Sequence, residues 1–411
     1  MVASTRERVR SALDKELALR AVQDAIKIPS VFGEEEEIGK YLAGLMRDVG
    51  LEEVVFQEVQ EKRANVIGNL GGGNPGPTLV LQGHMDTVPP GAHPEPFSGS
   101  LRDGRIWGRG ASDMKGPLVA AILAVGVARR IVPEFYGSCV VAATVDEESE
   151  KRGIFALTDR GLEADFGICV EPTDLRVAIA QKGCLSIRVT THGVAAHGAT
   201  PERGVNAIEK MAEVIGGIRN ARVPIAEVPR VGQIRGTYNI GVIEGGQMFF
   251  IVPDRCSIWV DRRTVPGETQ EAAVQSLRQL VLAICPEAEV VLERQDWKWE
   301  RIQRRGIRSC FIAPESRIVR TVADSVECVT GQRAEYHVQN AWCETDFLIN
   351  DLDIPTVNFG PGKMELAHTS NEHIEVESLL RGIETLAMTI ISICGEKETM
   401  SNLPLADGSS A

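Results

Sequence analysis

Residues 78–86, TLVLQGHMD, form a run of apolar residues that ends in a histidine and an aspartate. A continuous apolar run of this length is typical of a β-strand that is buried on both faces. On a strand, residues i and i+2 point to the same side, so His84 and Asp86 can contact each other. The pair is either a strand-end histidine hydrogen-bonded to a local acid, or a metal ligand whose second ring nitrogen is held by a carboxylate.

Three more apolar runs have the same character, and two of them end in acidic residues. They are SCVVAATVDEE (138–148), FGICVEP (166–172) and IPTVNFGPG (354–362), and helical patterns at 35–48 and 116–130 lie among them. Strands that alternate with helices predict an α/β catalytic domain whose mostly parallel, buried sheet is covered by helices. Because a ligand crevice forms at the carboxyl ends of such strands, we expect the histidine and the acids to meet at one edge.

The segment from 183 to 295 has a different pattern. In CLSIRVTTHG, apolar residues alternate with polar ones, which is typical of a sheet with one solvated face. Two amphipathic helices and two further strand-like runs, GTYNIGVIEGG (236–246) and CSIWVDRRTV (256–265), follow. This order predicts a small α+β, ferredoxin-like domain inserted into the larger one. The larger domain would then comprise residues 1–182 and 296–411.

The composition of the 411 residues limits the classes of function. A net charge of −13 argues against nucleic acid as a partner, because no basic surplus is available to neutralise phosphates. Nine cysteines without a Cys-x-x-Cys pair indicate reduced thiols in a cytoplasmic protein and not a thiolate zinc site. The N-terminus has no signal-peptide pattern, and the longest apolar run, 116–128, is too short to span a membrane. Residues 397–411 are predicted to be a solvated tail.

Side chains that bind hard or borderline metal ions are concentrated at the predicted strand ends and in two loops. Imidazole and carboxylate donors without thiolates suit Zn²⁺, Mn²⁺ or Co²⁺. A two-metal hydrolytic site also needs a carboxylate that bridges the ions and a second carboxylate, not a ligand, that accepts a proton from water. The candidates are His84, Asp86, Asp113, Glu147, Glu148, Glu171 and His368.

Five motifs that contain these residues occur in the order and spacing of a known family. They are LQGHMDTV, RGASDMKG, VDEES, VEPTD and ELAHTSNEH. From about residue 15 to residue 395, the sequence resembles the acetylornithine deacetylase, succinyl-diaminopimelate desuccinylase, aminoacylase and carboxypeptidase G family of dinuclear metallohydrolases. The resemblance implies a homodimer, or a higher homo-oligomer, with two divalent ions (Zn, Mn or Co) per subunit.

The resemblance also implies a role for each candidate at the metal centre. Asp113 would bridge the two ions, and the peptide bond that follows it would be cis. Glu147 would be the general base, and Asp86 would orient His84 by accepting its free N–H. One ion would be held by His84, Asp113 and Glu171, and the other by Asp113, Glu148 and His368.

The inserted segment resembles the family's lid or dimerisation domain. The resemblance implies that His197 reaches the partner's active site and stabilises an oxyanion, and that Arg263 binds a substrate carboxylate, a role that Arg262 could also take. Many members have an asparagine where this chain has Phe250, and the aromatic ring indicates a more apolar, planar substrate. The remaining substrate-binding candidates are Asn239 and Gly360.

The sequence therefore predicts a cytoplasmic, metal-dependent hydrolase that cleaves the amide C–N bond of an N-acyl amino acid or small peptide-like substrate, one that bears a carboxylate. Two alternatives stay open at this point. An aminohydrolase acting on a non-peptide C–N bond, such as an aromatic amine of the aminobenzoate type, is favoured by Phe250. A catalytically silent metal-binding scaffold is disfavoured by the intact Glu147.

Overall fold

The computed structural model describes residues 2–71, 76–293 and 299–395. The predicted solvated tail, 397–411, lies outside the described residues. The helices are α1 (Val2–Ala12), α2 (Lys15–Lys27), α3 (Glu36–Asp48), α4 (Lys115–Ile131), α5 (Arg152–Asp159), α6 (Ala207–Arg219), α7 (Gln270–Ile284), α8 (Glu300–Arg305), α9 (Arg317–Thr330), α10 (Thr345–Asn350) and α11 (Val376–Cys394). Short 3-10 helices cover Pro201–Arg203 and Met364–Leu366.

The strands are β1 (Glu53–Gln60), β2 (Arg63–Gly71), β3 (Thr78–His84), β4 (Ser100–Arg102), β5 (Arg105–Trp107), β6 (Ser138–Thr144), β7 (Phe166–Cys169), β8 (Val177–Gln181), β9 (Gly183–His192), β10 (Ile225–Val228), β11 (Gly232–Arg235), β12 (Thr237–Gly245), β13 (Arg255–Thr264), β14 (Glu289–Leu292), β15 (Cys310–Phe311), β16 (Tyr336–Gln339), β17 (Thr356–Asn358) and β18 (His373–Glu375).

These elements form two compact units. Of the described residues, the first unit contains 2–71, 76–179, 312–339 and 343–395, and the second contains 180–293, 299–311 and 340–342. The predicted start of the inserted domain, residue 183, lies in the second unit, and its predicted end, residue 295, lies outside the described residues. That 183–295 forms a domain of its own stays a prediction.

The main sheet of the first unit is parallel at its centre. Its strands follow the order β1-β2-β6-β3-β7-β17-β8, in which β6, β3, β7 and β17 pair in parallel. The outer strands β1, β2 and β8 pair antiparallel to their neighbours. In β3, every residue from Leu79 to His84 is buried, as the continuous apolar run predicts. The predicted α/β class is confirmed, and the strands β6, β3, β7 and β17 form the parallel part of the sheet.

Helix α4 forms the centre of the helical layer in the first unit. Its residues from Lys115 to Ala128 are all buried, since the helix packs against α1, α2, α11 and β3. A helix that is apolar on all sides is stable only in such an enclosed position. The same helix begins directly after the Asp113–Met114 peptide bond, which is cis as the family resemblance implies.

The second unit is an antiparallel sheet with helices on one face. Its strands follow the order β12-β13-β9-β14. The alternating residues Leu185, Ile187 and Val189 of β9 lie in its core together with apolar residues of α6 and α7. The short hairpin β10–β11 was not predicted, because its strands have only four residues each and weak alternation. Within the described ranges, no helix combines the length and apolar composition needed to cross a bilayer.

Candidate metal centre

The predicted ligands of the first unit lie where the central strands end. Strand β3 ends at His84, and its parallel neighbours β6 and β7 lead into the loops that carry Glu148 and Glu171. Asp113 precedes α4, and His368 lies between the second 3-10 helix and β18. Because parallel strands end at the same edge of a sheet, this arrangement gathers the side chains around one crevice.

The side chains of His84, Asp113, Glu148 and His368 form one compact group. The ligand atoms of the first three lie within 4.8 Å of one another. His368 Nε2 lies 2.8 Å from Glu148 Oε1 and 3.4 Å from Asp113 Oδ2. His84 Nε2 lies 3.2 Å from Asp113 Oδ1. Asp113 therefore presents one carboxylate oxygen to each histidine, which is the arrangement that a carboxylate between two cations requires.

The charges of this group favour a cation. Hydrogen bonds with Asp113 and Glu148 raise the pKa of His368 to about 10. Burial acts to raise the pKa of Asp113, but its contacts with His368 and His84 outweigh burial and lower that pKa below its usual value. Burial raises the pKa of Glu148. Carboxylates this close together need positive charge, and oxygen and imidazole donors without thiolate fit Zn²⁺, Mn²⁺ or Co²⁺.

Asp86 lies beside His84 and contacts it through two different oxygens. The Nδ1–H of His84 donates to the main-chain carbonyl of Asp86 at 2.9 Å, and the carboxylate oxygen Oδ1 lies 3.6 Å from Nδ1. The carboxylate also accepts the backbone N–H groups of Glu147 at 3.1 Å and Glu148 at 2.9 Å. That Asp86 orients His84 stays a prediction. His84 Nε2 lies 3.2 Å from Asp113 Oδ1.

Glu147 lies beside a buried lysine that sequence reasoning missed. Lys151 has no exposed surface, and its Nζ contacts the carboxylate of Glu147 and donates to the main-chain carbonyl of Glu147 at 2.7 Å. Burial acts to lower the pKa of Lys151, but the charges of Glu147 and Glu344 outweigh burial and raise it. A charged ammonium therefore adjoins the carboxylate of Glu147. The four-residue spacing in EESEK is the signal that could have indicated this pair.

Glu171 lies in a different group from the other predicted ligands. One of its carboxylate oxygens lies within 4.8 Å of the sulfur atoms of Cys169 and Cys343, which are themselves that close to each other. Burial raises the pKa of Glu171 well above its usual value, and Asp113 is near enough to raise it further. The role of Glu171 as a ligand of the first cation stays a prediction.

Glu372 fixes the loop that carries Asp113, and no sequence argument identified it. Its Oε1 accepts the backbone N–H groups of Gly110 at 3.0 Å, Ser112 at 3.1 Å and Asp113 at 3.0 Å. Its Oε2 accepts from Arg109 Nη1 at 2.5 Å. Burial raises the pKa of Glu372 to about 7. The position of this glutamate, four residues after His368 in the fifth motif, is the signal that was available.

A second buried ion pair fixes the loop after β6. Arg63 Nη2 lies 2.6 Å from Glu35 Oε1 and 2.6 Å from Asp146 Oδ1. Asp146 has a φ of 69°, in the left-handed region that non-glycine residues rarely adopt. The contacts of Asp146 with Arg63 therefore stabilise the turn that leads into Glu147.

His197 and Phe250, two of the residues predicted in the second unit, lie in segments that contact each other. His197 is exposed and forms a bridge to Ile251, and the backbone N–H of Gly198 donates to the carbonyl of Phe250 at 2.7 Å. Phe250 is 46% exposed, and the neighbouring Phe249 is 99% exposed. The lid loop, defined as residues 247–251, is therefore a mostly apolar segment that pairs through one isolated bridge with the loop that carries His197.

Asn239 and Arg263 lie on the same face of the second unit's sheet. Asn239 pairs with Asp261 across β12 and β13, and Arg263 Nε donates to Asp261 at 3.1 Å. Arg262 has no exposed surface and is paired with Glu268, so Arg263 is the more accessible guanidinium. Gly360, in the first unit, has no room for a side chain, because a Cβ there would lie 2.6 Å from the carbonyl oxygen of Glu171.

Replacing Glu372 with alanine tests its effect on the Asp113 loop. The change leaves Arg109 and three backbone N–H groups without their buried acceptor, so we expect a loss of about 3–5 kcal/mol in the free energy of unfolding. Losing the support of a ligand-bearing loop should also weaken metal binding by roughly 10–100-fold. Urea unfolding and metal titration measure the two effects.

The matched control is Glu375→Ala, three residues further along the chain at the end of β18. Glu375 is partly exposed and lies 3.3 Å from Lys363 Nζ, so its removal should cost about 0–1 kcal/mol. Equal losses in the two variants would contradict a special role for Glu372.

Comparison with known proteins places the chain among metal-dependent hydrolases. It is 30% identical to the acetylornithine deacetylase of Photorhabdus laumondii over 360 residues, which cover 84% of this chain and 88% of that protein. It is 26% identical to the N-formyl-4-amino-5-aminomethyl-2-methylpyrimidine deformylase of Bacillus subtilis, and the match covers 88% of this chain and 90% of that protein. A tripeptidase structure from Staphylococcus aureus has the same fold, with a TM-score of 0.76 and 24% sequence identity. The match covers 92% of this chain and 98% of the tripeptidase chain.

The family model for peptidase family M20/M25/M40 matches residues 80–392, most of the chain. That range includes every residue predicted for the metal centre. The predictions of a dinuclear metallohydrolase family and of a metal-dependent amidohydrolase are therefore confirmed. The chain belongs to peptidase family M20/M25/M40.

Proposed function

We propose that this enzyme hydrolyses the amide bond of an N-acyl amino acid or of a small peptide-like substrate at a centre of two divalent cations. The observation that carries the proposal is the position of Asp113, whose two carboxylate oxygens lie 3.2 Å and 3.4 Å from the Nε2 atoms of His84 and His368. A single cation would not require a carboxylate that faces a histidine on each side.

The ligands in this proposal are those of the family resemblance. His84, Asp113 and Glu171 hold one cation, and Asp113, Glu148 and His368 hold the other. Zn²⁺, Mn²⁺ and Co²⁺ all suit these donors. When bound, two such cations polarise the carbonyl of the scissile amide and lower the pKa of a water molecule.

Glu147 moves the proton in this proposal. Its carboxylate takes a proton from the water that attacks the amide carbon and later donates a proton to the leaving nitrogen, which yields a carboxylate and an amine. The assignment is supported by the position of Glu147 outside the ligand group and by its contact with Lys151. The contacts of the Lys151 ammonium with the carboxylate and the main-chain carbonyl of Glu147 hold this residue in place.

The second unit completes the site from the partner of a homodimer. The partner's His197 donates a hydrogen bond to the oxyanion that develops on the amide carbonyl. Arg263 binds a carboxylate of the substrate, with Asn239 on the same face of the sheet, and Gly360 leaves space beside Glu171. The exposure of His197 and the burial of Arg262 support these roles.

Phe250 favours a substrate with an apolar or aromatic part. It stands where many family members have a polar asparagine, and it adjoins the exposed Phe249 in the lid loop. A relative with 26% identity is named as the deformylase of an N-formylated aminopyrimidine. This observation keeps a second candidate, hydrolysis of a C–N bond attached to an aromatic compound. A catalytically silent scaffold is not supported, because the chain retains Glu147 and every residue of the proposed ligand set.

A substrate panel with base variants tests the proposal. We expect amine release from N-acyl amino acids when Zn²⁺, Mn²⁺ or Co²⁺ is present, and none after chelation. Glu147→Gln should retain the cations and lose about 10²–10⁴-fold or more in kcat, because only the proton acceptor is removed. Glu148→Gln should instead lose a cation.

Glu150→Gln is the matched control in the same loop and should leave both kcat and the cation content unchanged. Full turnover by Glu147→Gln, or unchanged cation content in Glu148→Gln, would show that the two roles are assigned wrongly. Release only from N-acylated aromatic amines would favour the second candidate.

Subunit mixing tests the role of His197. If each site uses the partner's His197, chains with His197→Ala and chains with Glu147→Gln are both inactive alone, and about half of an equal mixture forms heterodimers with one intact site. Co-refolding with metal should then restore about a quarter of wild-type activity. Background activity after verified chain exchange would mean that His197 acts within its own chain or not at all.

A further inference from the structure

Two buried thiols adjoin Glu171, and the proposed hydrolysis uses neither of them. Cys169 is the last residue of β7, and Cys343 lies two residues before α10. Both are 1% exposed, and Glu171 is 3% exposed. The two sulfur atoms and one carboxylate oxygen lie within 4.8 Å of one another, although Cys343 is far from the other two in sequence.

Cys169, Cys343 and Glu171 are a group that could hold a metal ion, because their ligand atoms all lie within 4.8 Å of one another. Thiolate and carboxylate are both ligands that zinc accepts, at bond lengths of about 2.0–2.3 Å. Two amide oxygens border the sulfur atoms. Cys169 Sγ donates to Gln82 Oε1 at 3.0 Å, and Cys343 Sγ donates to Asn358 Oδ1 at 3.3 Å.

We propose that Cys169, Cys343 and Glu171 form a binding site for one thiophilic divalent cation, of the Zn²⁺ or Cd²⁺ class, next to the hydrolytic centre. As each sulfur binds the cation, its S–H bond breaks and the proton passes to solvent, so that two thiolates and one carboxylate neutralise the cation with one negative charge in excess. Soft thiolate ligands distinguish this site from the oxygen and imidazole ligands around Asp113.

Cation binding fits these thiols better than formation of a disulfide between them. Thiol–disulfide exchange needs an exposed thiolate, and both thiols are buried. A divalent cation supplies the positive charge that stabilises the thiolates, as it does in thiolate metal sites generally.

Occupation of the thiol site also affects hydrolysis, a consequence that rests on the proposed function. Glu171 is assigned as a ligand of one catalytic cation, and the thiol site uses the same carboxylate. A thiophilic cation bound there therefore competes for Glu171 and inhibits the enzyme.

Cadmium is the probe that reports the thiol site without reference to activity. The full-length protein is first saturated with Mn²⁺, so that the oxygen and imidazole ligands are occupied, and is then titrated with Cd²⁺. Ultraviolet absorption from thiolate-to-cadmium charge transfer should saturate at about one ion per chain. Cys169→Ser and Cys343→Ser should each weaken cadmium binding by roughly tenfold or more. Removing a residue that only hydrogen-bonds to a metal ligand already costs about tenfold in affinity, and each of these variants removes a ligand itself.

The matched control is Cys394→Ser. Cys394 is also buried and donates to a carbonyl, that of Ser138 at 3.1 Å, but it is outside the group. The Cys394→Ser variant should retain the thiolate-to-cadmium absorption of the wild type. X-ray absorption of the wild-type cadmium protein, which should show two sulfur ligands, keeps the test independent of how the serine variants fold. No charge-transfer band, an equal band in all variants, or a Cys169–Cys343 disulfide found by mass spectrometry would overturn the proposal.

Inhibition is measured separately with an N-acyl amino acid. Cd²⁺ should inhibit the wild type at a concentration roughly tenfold or more below that needed for Cys343→Ser. A cadmium band without inhibition would support the thiol site and overturn the catalytic assignment of Glu171. Absence of any hydrolysis would contradict the proposed function and leave the spectroscopic test of the thiol site valid.

Discussion

The carboxylate of Glu372 determines where Asp113 lies, and the metal centre depends on that position. The contact is buried and joins residues far apart in the chain, since one glutamate oxygen accepts three backbone N–H groups of the 110–113 loop while the other pairs with Arg109. A loop held by its backbone has little freedom to turn the Asp113 side chain. The two carboxylate oxygens are therefore directed towards His84 and His368, one to each.

The remaining buried charges follow from the same requirement that carboxylates removed from water have partners. Arg63 pairs with Glu35 and Asp146, and this contact stabilises the turn before Glu147. Lys151 pairs with Glu147 and is near Glu344. Asp86 accepts the backbone N–H groups of residues 147 and 148. Structural ion pairs thus surround the ligand group, in which the histidines are the only side chains that can carry positive charge. A bound metal ion would supply further positive charge to its carboxylates.

The sequence predicted the features that arise locally and missed those that depend on distant contacts. The buried strand before His84 and the alternating pattern of β9 were predicted because the order of apolar and polar residues in a strand indicates which of its faces are buried. Of the side chains that the family motifs named as ligands, the structure brings His84, Asp113, Glu148 and His368 together. Glu372 was missed because its acceptor role involves a loop about 260 residues away, and the thiol pair was missed because Cys343 has no pattern that points to β7. Residue spacing indicated that Asp86 lies beside His84, but it could not distinguish a contact of the carboxylate from one of the main-chain carbonyl.

The measurement that tests this account most directly is anomalous diffraction from crystals grown with Zn²⁺ or Mn²⁺. The account predicts two anomalous peaks on either side of the Asp113 carboxylate, about 3.5–4 Å apart, one beside His84 and the other beside His368. A single peak, or two peaks that do not share Asp113, would contradict the two-cation centre on which the proposed function depends.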